Sequence, residues 1–383
     1  MTKNNKKKTK ILIWYWGRLG GGQTYSYHIV KYLKKLSNKN KNLEIYLSVS
    51  KNSELYRDFN KFNLKSFNIK TYNNWLQLFI SLFYIFKIKN NFLKFIKLNQ
   101  IDVVYSPMYH IWNFLISKDF FQHNIKYLFT IHDAKLHPGE NSLVSRLIYN
   151  FSIKTADAYL ALTKTVKSEL LKKKFFINKK IFITRFGNIE NIKNIKNINN
   201  IQKTLERNKT KFLFFGRILE YKGINNLLIA FSKFNKDCPN STLHIVGRGD
   251  VSKYLKLISE NKNIYLVNNW IPEKSFNNFF KTFDVCVLPY IEASQSGVIP
   301  LMFALRIPVI ITPVGGLIEQ VKNNYNGIIC KDFSCNSLQN EMKRISMDNK
   351  LYNKLVRGAV FSSKDKTIWK KSAEQIFLLS KII

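Results

Sequence analysis

The sequence predicts an α/β protein built from two Rossmann-like domains. Short apolar runs alternate with amphipathic helical patterns along the chain, which is typical of parallel sheets covered by helices. The alternation stops in a polar, low-complexity stretch between Gly187 and Thr210 and then starts again. A length of 383 residues also favours two domains.

Each predicted strand is an apolar run rich in β-branched or aromatic residues. In the first half these runs lie at 11–16, 43–49, 102–106, 127–132, 158–163 and 181–187. In the second half they lie at 211–216, 242–247, 263–267, 284–289 and 309–312. The stretch 368–383 is an amphipathic helix. The predicted organisation is therefore an N-terminal domain at 1–190, a linker at 191–209, a C-terminal domain at 210–360 and a final helical segment at 361–383.

The composition fits folded domains with an excess of positive charge. Hydrophobic residues make up 45% of the chain, which argues against disorder, and the net charge is +38. Such a charge suggests an anionic partner: nucleic acid, a membrane surface or a phosphorylated substrate. A general bias toward Lys, Asn, Ile and Phe remains an alternative source of it. The lysines are spread along the chain without a nucleic-acid-binding motif, so we expect no nucleic-acid partner.

Cysteine spacing and hydropathy predict a cytoplasmic protein. The four cysteines show no CxxC pattern, and the first apolar run is too short for a signal peptide. The stretch 75–86 is too short to span a bilayer, but lysines follow it up to residue 98. Segment 75–98 has two interpretations: a helix lying on anionic lipid at the inner face of the membrane, or a helix packed on the first sheet.

Two loops that follow predicted strands carry residues suited to phosphate. The first, "GRLGGG" at 17–22, would let a ligand approach the backbone at the start of a helix, although an ordinary tight turn fits equally. Its glycine spacing is not GxGxxG, which disfavours a nicotinamide site. The second, "FFGRILEYKG" at 214–223, contains Arg217 and Lys222, which together suit a diphosphate.

A third loop, "YIEASQSGVIP" at 290–300, precedes a predicted helix. Pro300 fits the first turn, where its missing N–H loses no hydrogen bond. The amides of Ser296 and Gly297 would then point out of the helix end toward an anion. Glu292 lies too far from the helix to cap it and could bind sugar hydroxyls; a solvated loop acid is the alternative.

Among the histidines, His132 has the best position, at the end of a predicted strand, whereas His28 and His244 are interpreted as packing residues. No HxxxH, HExxH or Cys/His cluster predicts a metal site, and no GxSxG elbow supports a hydrolase.

In order and spacing, four motifs of the second half resemble the retaining glycosyltransferases of family 4, which have the GT-B fold. These motifs are "FFGRILEYKGINNLLIAF", "LHIVGRGD", "VLPYIEASQSGVIP" and "RIPVIITPVGGLIEQVKNNYNGII". The first half fits through its glycine loop, "FTIHD" and "ADAYLALTKTVKSEL". The resemblance covers roughly residues 10–380 and implies two Rossmann-like domains facing across a cleft, with the last helix crossing back to the N-terminal domain.

The resemblance also implies roles for individual residues. Arg217 and Lys222 match the diphosphate-binding pair, and Ser296 and Gly297 match the phosphate-binding helix start. Glu292 matches an acid that contacts the transferred sugar, and His132 matches a histidine near it. Gly21 and Gly22 match the loop that closes over the phosphates. The second acid of the family motif, which usually holds the ribose, is replaced by Pro300; Glu319 lies on a different loop, so its role is not transferred.

The activity implied is metal-independent, cofactor-free transfer of a hexose from a nucleotide sugar, with retention of configuration. The acceptor would be a glycan or a lipid-linked glycan of the cell envelope, as in capsule or lipopolysaccharide synthesis. The alternatives are another GT-B enzyme of nucleotide sugars, such as an epimerase, and a non-enzymatic binder of nucleic acid or membrane.

Overall fold

The computed structural model describes residues 8–81, 83–135, 143–189 and 209–383. The chain forms two compact units. The first comprises the chain up to Lys135, residues 143–186 and Thr367–Ile383, and the second comprises Gly187–Lys366. The predicted linker at 191–209 lies outside the described residues except for Lys209.

Within the described residues, the first unit is built on a six-stranded parallel sheet in the order β2-β1-β3-β4-β5-β6. Its strands are β1 (Thr9–Tyr15), β2 (Leu43–Val49), β3 (Val103–Ser106), β4 (Lys126–Ile131), β5 (Ala158–Ala161) and β6 (Lys180–Ile183). The helices between them are α1 (Gly21–Lys39), α2 (Tyr56–Asn60), α3 (Trp75–Ser81), α4 (Ile85–Leu98), α5 (Asn113–Ser117), α6 (Leu143–Lys154) and α7 (Lys164–Leu171). The central strands are apolar on both faces because helices cover both sides of a parallel sheet.

The second unit repeats this architecture. Its described residues form a six-stranded parallel sheet in the order β12-β11-β10-β7-β8-β9. The strands are β7 (Lys211–Phe215), β8 (Thr242–Val246), β9 (Ile264–Val267), β10 (Val285–Leu288), β11 (Val309–Ile311) and β12 (Gly327–Ile329). The helices are α8 (Ile224–Asp237), α9 (Leu255–Ser259), α10 (Phe276–Phe280), α11 (Val298–Ala304), α12 (Leu317–Gln320), α13 (Cys335–Met347) and α14 (Asn349–Lys364). Every predicted strand is found, and β12 is an additional one.

The last helix, α15 (Thr367–Ile382), belongs to the first unit and not to the second. The buried Trp369 ring stacks on His28 of α1 with centroids 4.9 Å apart. The Oγ atom of Ser372 lies 2.6 Å from Oγ1 of Thr184, just after β6. Residues from the end of the chain thus complete the core of the first unit, and His28 packs there as predicted.

Candidate active site

The loop between β7 and α8 is held against the end of β10. The amide of Ile291 donates a hydrogen bond of 2.8 Å to the carbonyl of Tyr221. Gly223 has a φ of +69°, and a Cβ atom there would lie 1.9 Å from the carbonyl oxygen of Pro289. Glycine alone fits this conformation and this approach. The backbone of Lys222 is therefore fixed at the carboxyl edge of the second sheet.

The predicted diphosphate residues meet around Tyr290, which is completely buried. The Nζ atom of Lys222 lies 3.7 Å from the centroid of the Tyr290 ring, a cation–π contact. A Cβ atom on Gly216, directly before Arg217, would lie 4.0 Å from the Tyr290 hydroxyl oxygen. That oxygen lies 3.5 Å from the Oγ atom of Ser296. Arg217, Lys222 and Ser296 thus border one tyrosine.

The electrostatics around Tyr290 suit an anion. Burial raises the pKa of Tyr290 well above its ordinary value, so the hydroxyl stays protonated at neutral pH. The Ser296 hydroxyl and the positive charge of Arg217 act in the opposite direction on this pKa, which places the Arg217 charge within electrostatic range. A guanidinium fork and an ammonium beside neutral hydroxyls are the donors that a pyrophosphate prefers.

Ser296 departs from its prediction. Its amide was predicted to point out of the helix end, but it donates a hydrogen bond of 2.8 Å to Oε1 of Gln320. The Nε2 atom of Gln320 donates in return to the Ser296 carbonyl over 2.9 Å. Gln320 reaches this amide from α12 because the Gly316 amide also binds the carbonyl of Ala293 and holds the two segments together. The Ser296 group that faces Tyr290 is therefore its hydroxyl.

The predicted helix after this loop begins at Val298, with Gly297 as its N-cap. The amide of Val298 donates to Oγ of Ser296 over 3.2 Å. Pro300 is the third residue of α11, inside the first turn, so its missing N–H costs no helical hydrogen bond. Ser296 and Gly297 are thereby placed at the entrance of α11, next to Tyr290.

The two acids of this region lie on segments that are held together. Glu292 is half-buried, and its Oε1 atom is shielded from solvent. Glu319 lies on α12 beside Gln320, the residue that clamps Ser296. The sequence places Glu319 on a separate loop, and the structure shows that this loop is joined to the Ser296 segment.

His132 and the two glycines lie in the first unit. His132 follows β4 and is buried, and its Nε2 atom lies 2.8 Å from the carbonyl oxygen of Pro107. Because a carbonyl only accepts, Nε2 must donate, and Nδ1 is then the acceptor of the neutral ring. Burial lowers the pKa of His132, against the Pro107 hydrogen bond and the Asp133 charge, which raise it. The neutral ring can therefore accept one hydrogen bond from a ligand hydroxyl.

Gly21 and Gly22 are the first residues of α1. At Gly22 a Cβ atom would lie 2.9 Å from the Sδ atom of Met108, so the Met108 side chain would have to shift to admit a larger residue. At Gly21 such an atom would meet a Phe186 ring carbon at 3.9 Å, which is ordinary contact. Gly21 is thus the glycine that packing does not explain.

The structure also places in the site two residues that the sequence patterns do not single out. Tyr290 follows an apolar strand and resembles any core aromatic; only its place directly after Pro289 hinted at a site. Gln320 gave no signal, because its function depends on a contact across 24 residues. Within the described residues, no cluster of three or more His, Cys, Asp or Glu could hold a metal ion. Metal independence remains a prediction.

Comparison with known proteins shows which class the chain resembles. The fold is GT-B: the chain superimposes on Anabaena HepE, solved in complex with UDP and glucose, with a TM-score of 0.69 and 14% identity, covering 96% of this chain and 99% of that one. Residues 196–360 match the family Glycosyl transferases group 1.

Two sequence relatives agree with this class. An uncharacterized glycosyltransferase of Methanocaldococcus jannaschii is 26% identical over 96% of this chain and 97% of its own length. The capsular polysaccharide biosynthesis glycosyltransferase CapM of Staphylococcus aureus is 25% identical over 58% of this chain and 62% of its own. Together these findings show that the chain is similar to group 1 glycosyltransferases and has the GT-B fold.

Proposed function

We propose that the protein transfers a hexose from a nucleotide-sugar donor to a glycan or lipid-linked acceptor, with retention of configuration, in cell-envelope polysaccharide synthesis. The arrangement of Arg217, Lys222 and Ser296 around Tyr290 is the observation that carries the proposal. The similarity to a capsular glycosyltransferase supports the class of product.

In this proposal the donor diphosphate binds beside Tyr290. Lys222 and Arg217 neutralise its charge, and the Ser296 hydroxyl and the amide of Gly297 donate hydrogen bonds to it. As the bond between sugar and phosphate breaks, negative charge grows on the leaving diphosphate. The two cations bind that charge more strongly than the charge of the ground state, which lowers the barrier.

Glu292 and His132 contact the sugar in this proposal. Glu292 accepts hydrogen bonds from sugar hydroxyls, and the Nδ1 atom of His132 accepts one more. Gly21, with Gly22, lets the backbone of the first unit approach the phosphates. The leaving phosphate itself takes the proton of the acceptor hydroxyl, so the protein needs no nucleophile and contributes positioning and charge.

Calorimetric titration of a panel of nucleotide sugars tests the proposal. Arg217→Ala and Lys222→Ala should each weaken donor binding by roughly 1.5–3 kcal/mol, the scale of a hydrogen bond to a charged group. Lys233→Ala is the matched control, because Lys233 is an exposed cation on α8 of the same unit and bonds Asn336 instead. Unchanged affinity in both site variants would remove this pair from the donor site.

Turnover separates the role of Glu292 from donor binding. Glu292→Gln keeps the shape of the side chain but loses its charge, so we expect kcat to fall more than donor affinity. A Gln variant with the kcat of the unmodified protein would leave Glu292 without a role in transfer.

A further inference from the structure

Helix α3 turns its apolar face toward solvent. Leu76, Phe79 and Ile80 lie at i, i+3 and i+4, the spacing of one helix face, and their exposed fractions are 70%, 67% and 42%. The apolar surface continues beyond the helix through Phe83 and Phe86, at 79% and 64%. The interpretation of 75–86 as a helix packed on the first sheet is therefore wrong for these side chains.

An exposed apolar surface of this kind indicates a binding partner. Single exposed hydrophobic residues are common, but contiguous apolar patches on soluble proteins usually mark an interaction surface. Six large apolar side chains lie exposed within the eleven residues from 76 to 86: Leu76, Phe79, Ile80, Phe83, Tyr84 and Phe86. Removing even one such side chain from water is favourable by roughly 1.5–3 kcal/mol.

The charged residues of this segment itself are all positive. Segment 75–98 contains four lysines and neither Asp nor Glu. Lys89 is paired with Asp119 at 2.7 Å. Among the described residues, Lys87, Lys94 and Lys97 form no ion pair.

A basic groove continues the same surface. On α4, Lys97 lies on the same side as Phe86, because eleven residues are close to three whole turns, and Lys94 neighbours Lys97 at i, i+3. Beside the two lysines is a groove of about 460 Å³. Its lining is Asn90, Leu93, Lys94, Lys97, Leu98 and His123, without an acidic residue.

We propose that the α3–α4 surface, residues 76–98, docks the first unit on an anionic lipid bilayer. The six exposed apolar side chains named above enter the boundary between headgroups and acyl chains, and Lys87, Lys94 and Lys97 bind lipid phosphates. His123 adds a hydrogen-bond donor at the groove. Within the described residues, no helix is both long and apolar enough to cross a membrane, so this contact lies at the bilayer surface.

Charge selects the lipid over a second copy of the chain. A second copy would bring the same basic surface and a further +38 to the interface, without an acid in the segment to pair with the lysines. An anionic bilayer supplies both acyl chains for the aromatic rings and phosphates for the lysines. Docking is independent of donor chemistry and goes beyond the proposed transfer reaction.

Sedimentation with vesicles of phosphatidylglycerol and phosphatidylcholine, against phosphatidylcholine alone, tests this docking. The unmodified protein should bind the anionic vesicles, and Phe79→Ser with Phe83→Ser should lower the partition coefficient at least tenfold. Phe361→Ser with Leu378→Ser is the matched control, since these residues are exposed at 63% and 59% on other helices. The control should stay within twofold of the unmodified protein.

A pair of lysine substitutions tests the basic part of the α3–α4 surface. Lys94→Gln with Lys97→Gln should lower anionic partitioning about tenfold, because each surface lysine favours an anionic leaflet. Lys350→Gln with Lys354→Gln removes the same charge from the exposed side of α14 and should have a much smaller effect.

Equal sedimentation of the Phe79→Ser, Phe83→Ser variant and the unmodified protein would overturn the proposal. So would absence of vesicle binding, with light scattering showing a dimer that this variant converts to a monomer, because the surface would then bind a second copy. Nucleotide-sugar titration of the same variant confirms that it is folded and keeps this outcome separate from failure of the donor site.

Discussion

Helices α8 and α3 have the same spacing of apolar residues, but the apolar face of α8 is buried and that of α3 is exposed to solvent. The apolar face of α8 is buried, with Leu227, Leu228, Phe231 and Phe234 at 0% exposure. They cover the second sheet, where Phe231 and Phe234 meet the ring of Phe212 on β7. Leu76, Phe79 and Ile80 of α3 have a matching spacing but face solvent. Periodicity thus identifies the apolar face of a helix, and what covers that face depends on the rest of the structure.

The largest change in stability is expected when one phenylalanine on each helix is replaced. Phe231→Ala should lower the free energy of unfolding by roughly 3–5 kcal/mol, because it leaves a cavity among packed rings. Phe79→Ala should change it by less than about 0.5 kcal/mol, because the ring packs against little in the isolated protein. Urea unfolding measures both. Similar losses in the two variants would show that α3 is covered in solution.

The second test concerns how α8 is anchored. Gly223→Ala should destabilise the second unit by roughly 1–3 kcal/mol, since the added Cβ would meet the Pro289 carbonyl in a left-handed conformation. Gly21→Ala at the start of α1 is the comparison, with an expected change within about 0.5 kcal/mol. Thermal unfolding distinguishes them, and equal shifts would contradict the packing described at Gly223.

The smallest effect is expected where the chain enters α3. Tyr72 packs there on the buried His110, with ring centroids 5.7 Å apart. Burial, with the nearby charge of Arg18, lowers the pKa of His110 to about 3. The unfolded histidine binds a proton below about pH 6.5 and the folded one does not, so stability is lost as the pH falls below that value.

Urea unfolding at pH 7.5 and 5.0 measures this loss. His110→Asn should reduce the difference in unfolding free energy between the two pH values by roughly 1–2 kcal/mol, since one pKa unit corresponds to about 1.4 kcal/mol. An identical pH dependence in the variant and the unmodified protein would mean that His110 titrates normally in the fold.

The strands were predictable because each is a buried apolar run between polar loops. β12 was missed because its three residues, Gly327–Ile329, are too short for a pattern, and it is recognised only by pairing with β11. The exposure of α3 could not be predicted, since an apolar face has the same periodicity whether protein, lipid or water lies against it.

The site was predictable where residues follow strands. Arg217 and Lys222 lie on the loop after β7 and Ser296 on the loop after β10, and the carboxyl edge of one parallel sheet brings the two loops together. The contact between the Ser296 amide and Gln320 could not be predicted from the sequence. The motif does not show what the Ser296 amide binds, and its acceptor is a side chain of α12.

The position of α15 has a consequence for how the chain folds during translation. The helix that closes the core of the first unit is made only after the 180 residues of 187–366. At translation rates of about 5–20 residues per second, the surface of α1 that receives Trp369 waits for roughly 9–36 s. During that interval all strands of the first sheet have been synthesised, but the core still lacks the side chains of α15. Its apolar surface is then accessible to chaperones and prone to aggregation.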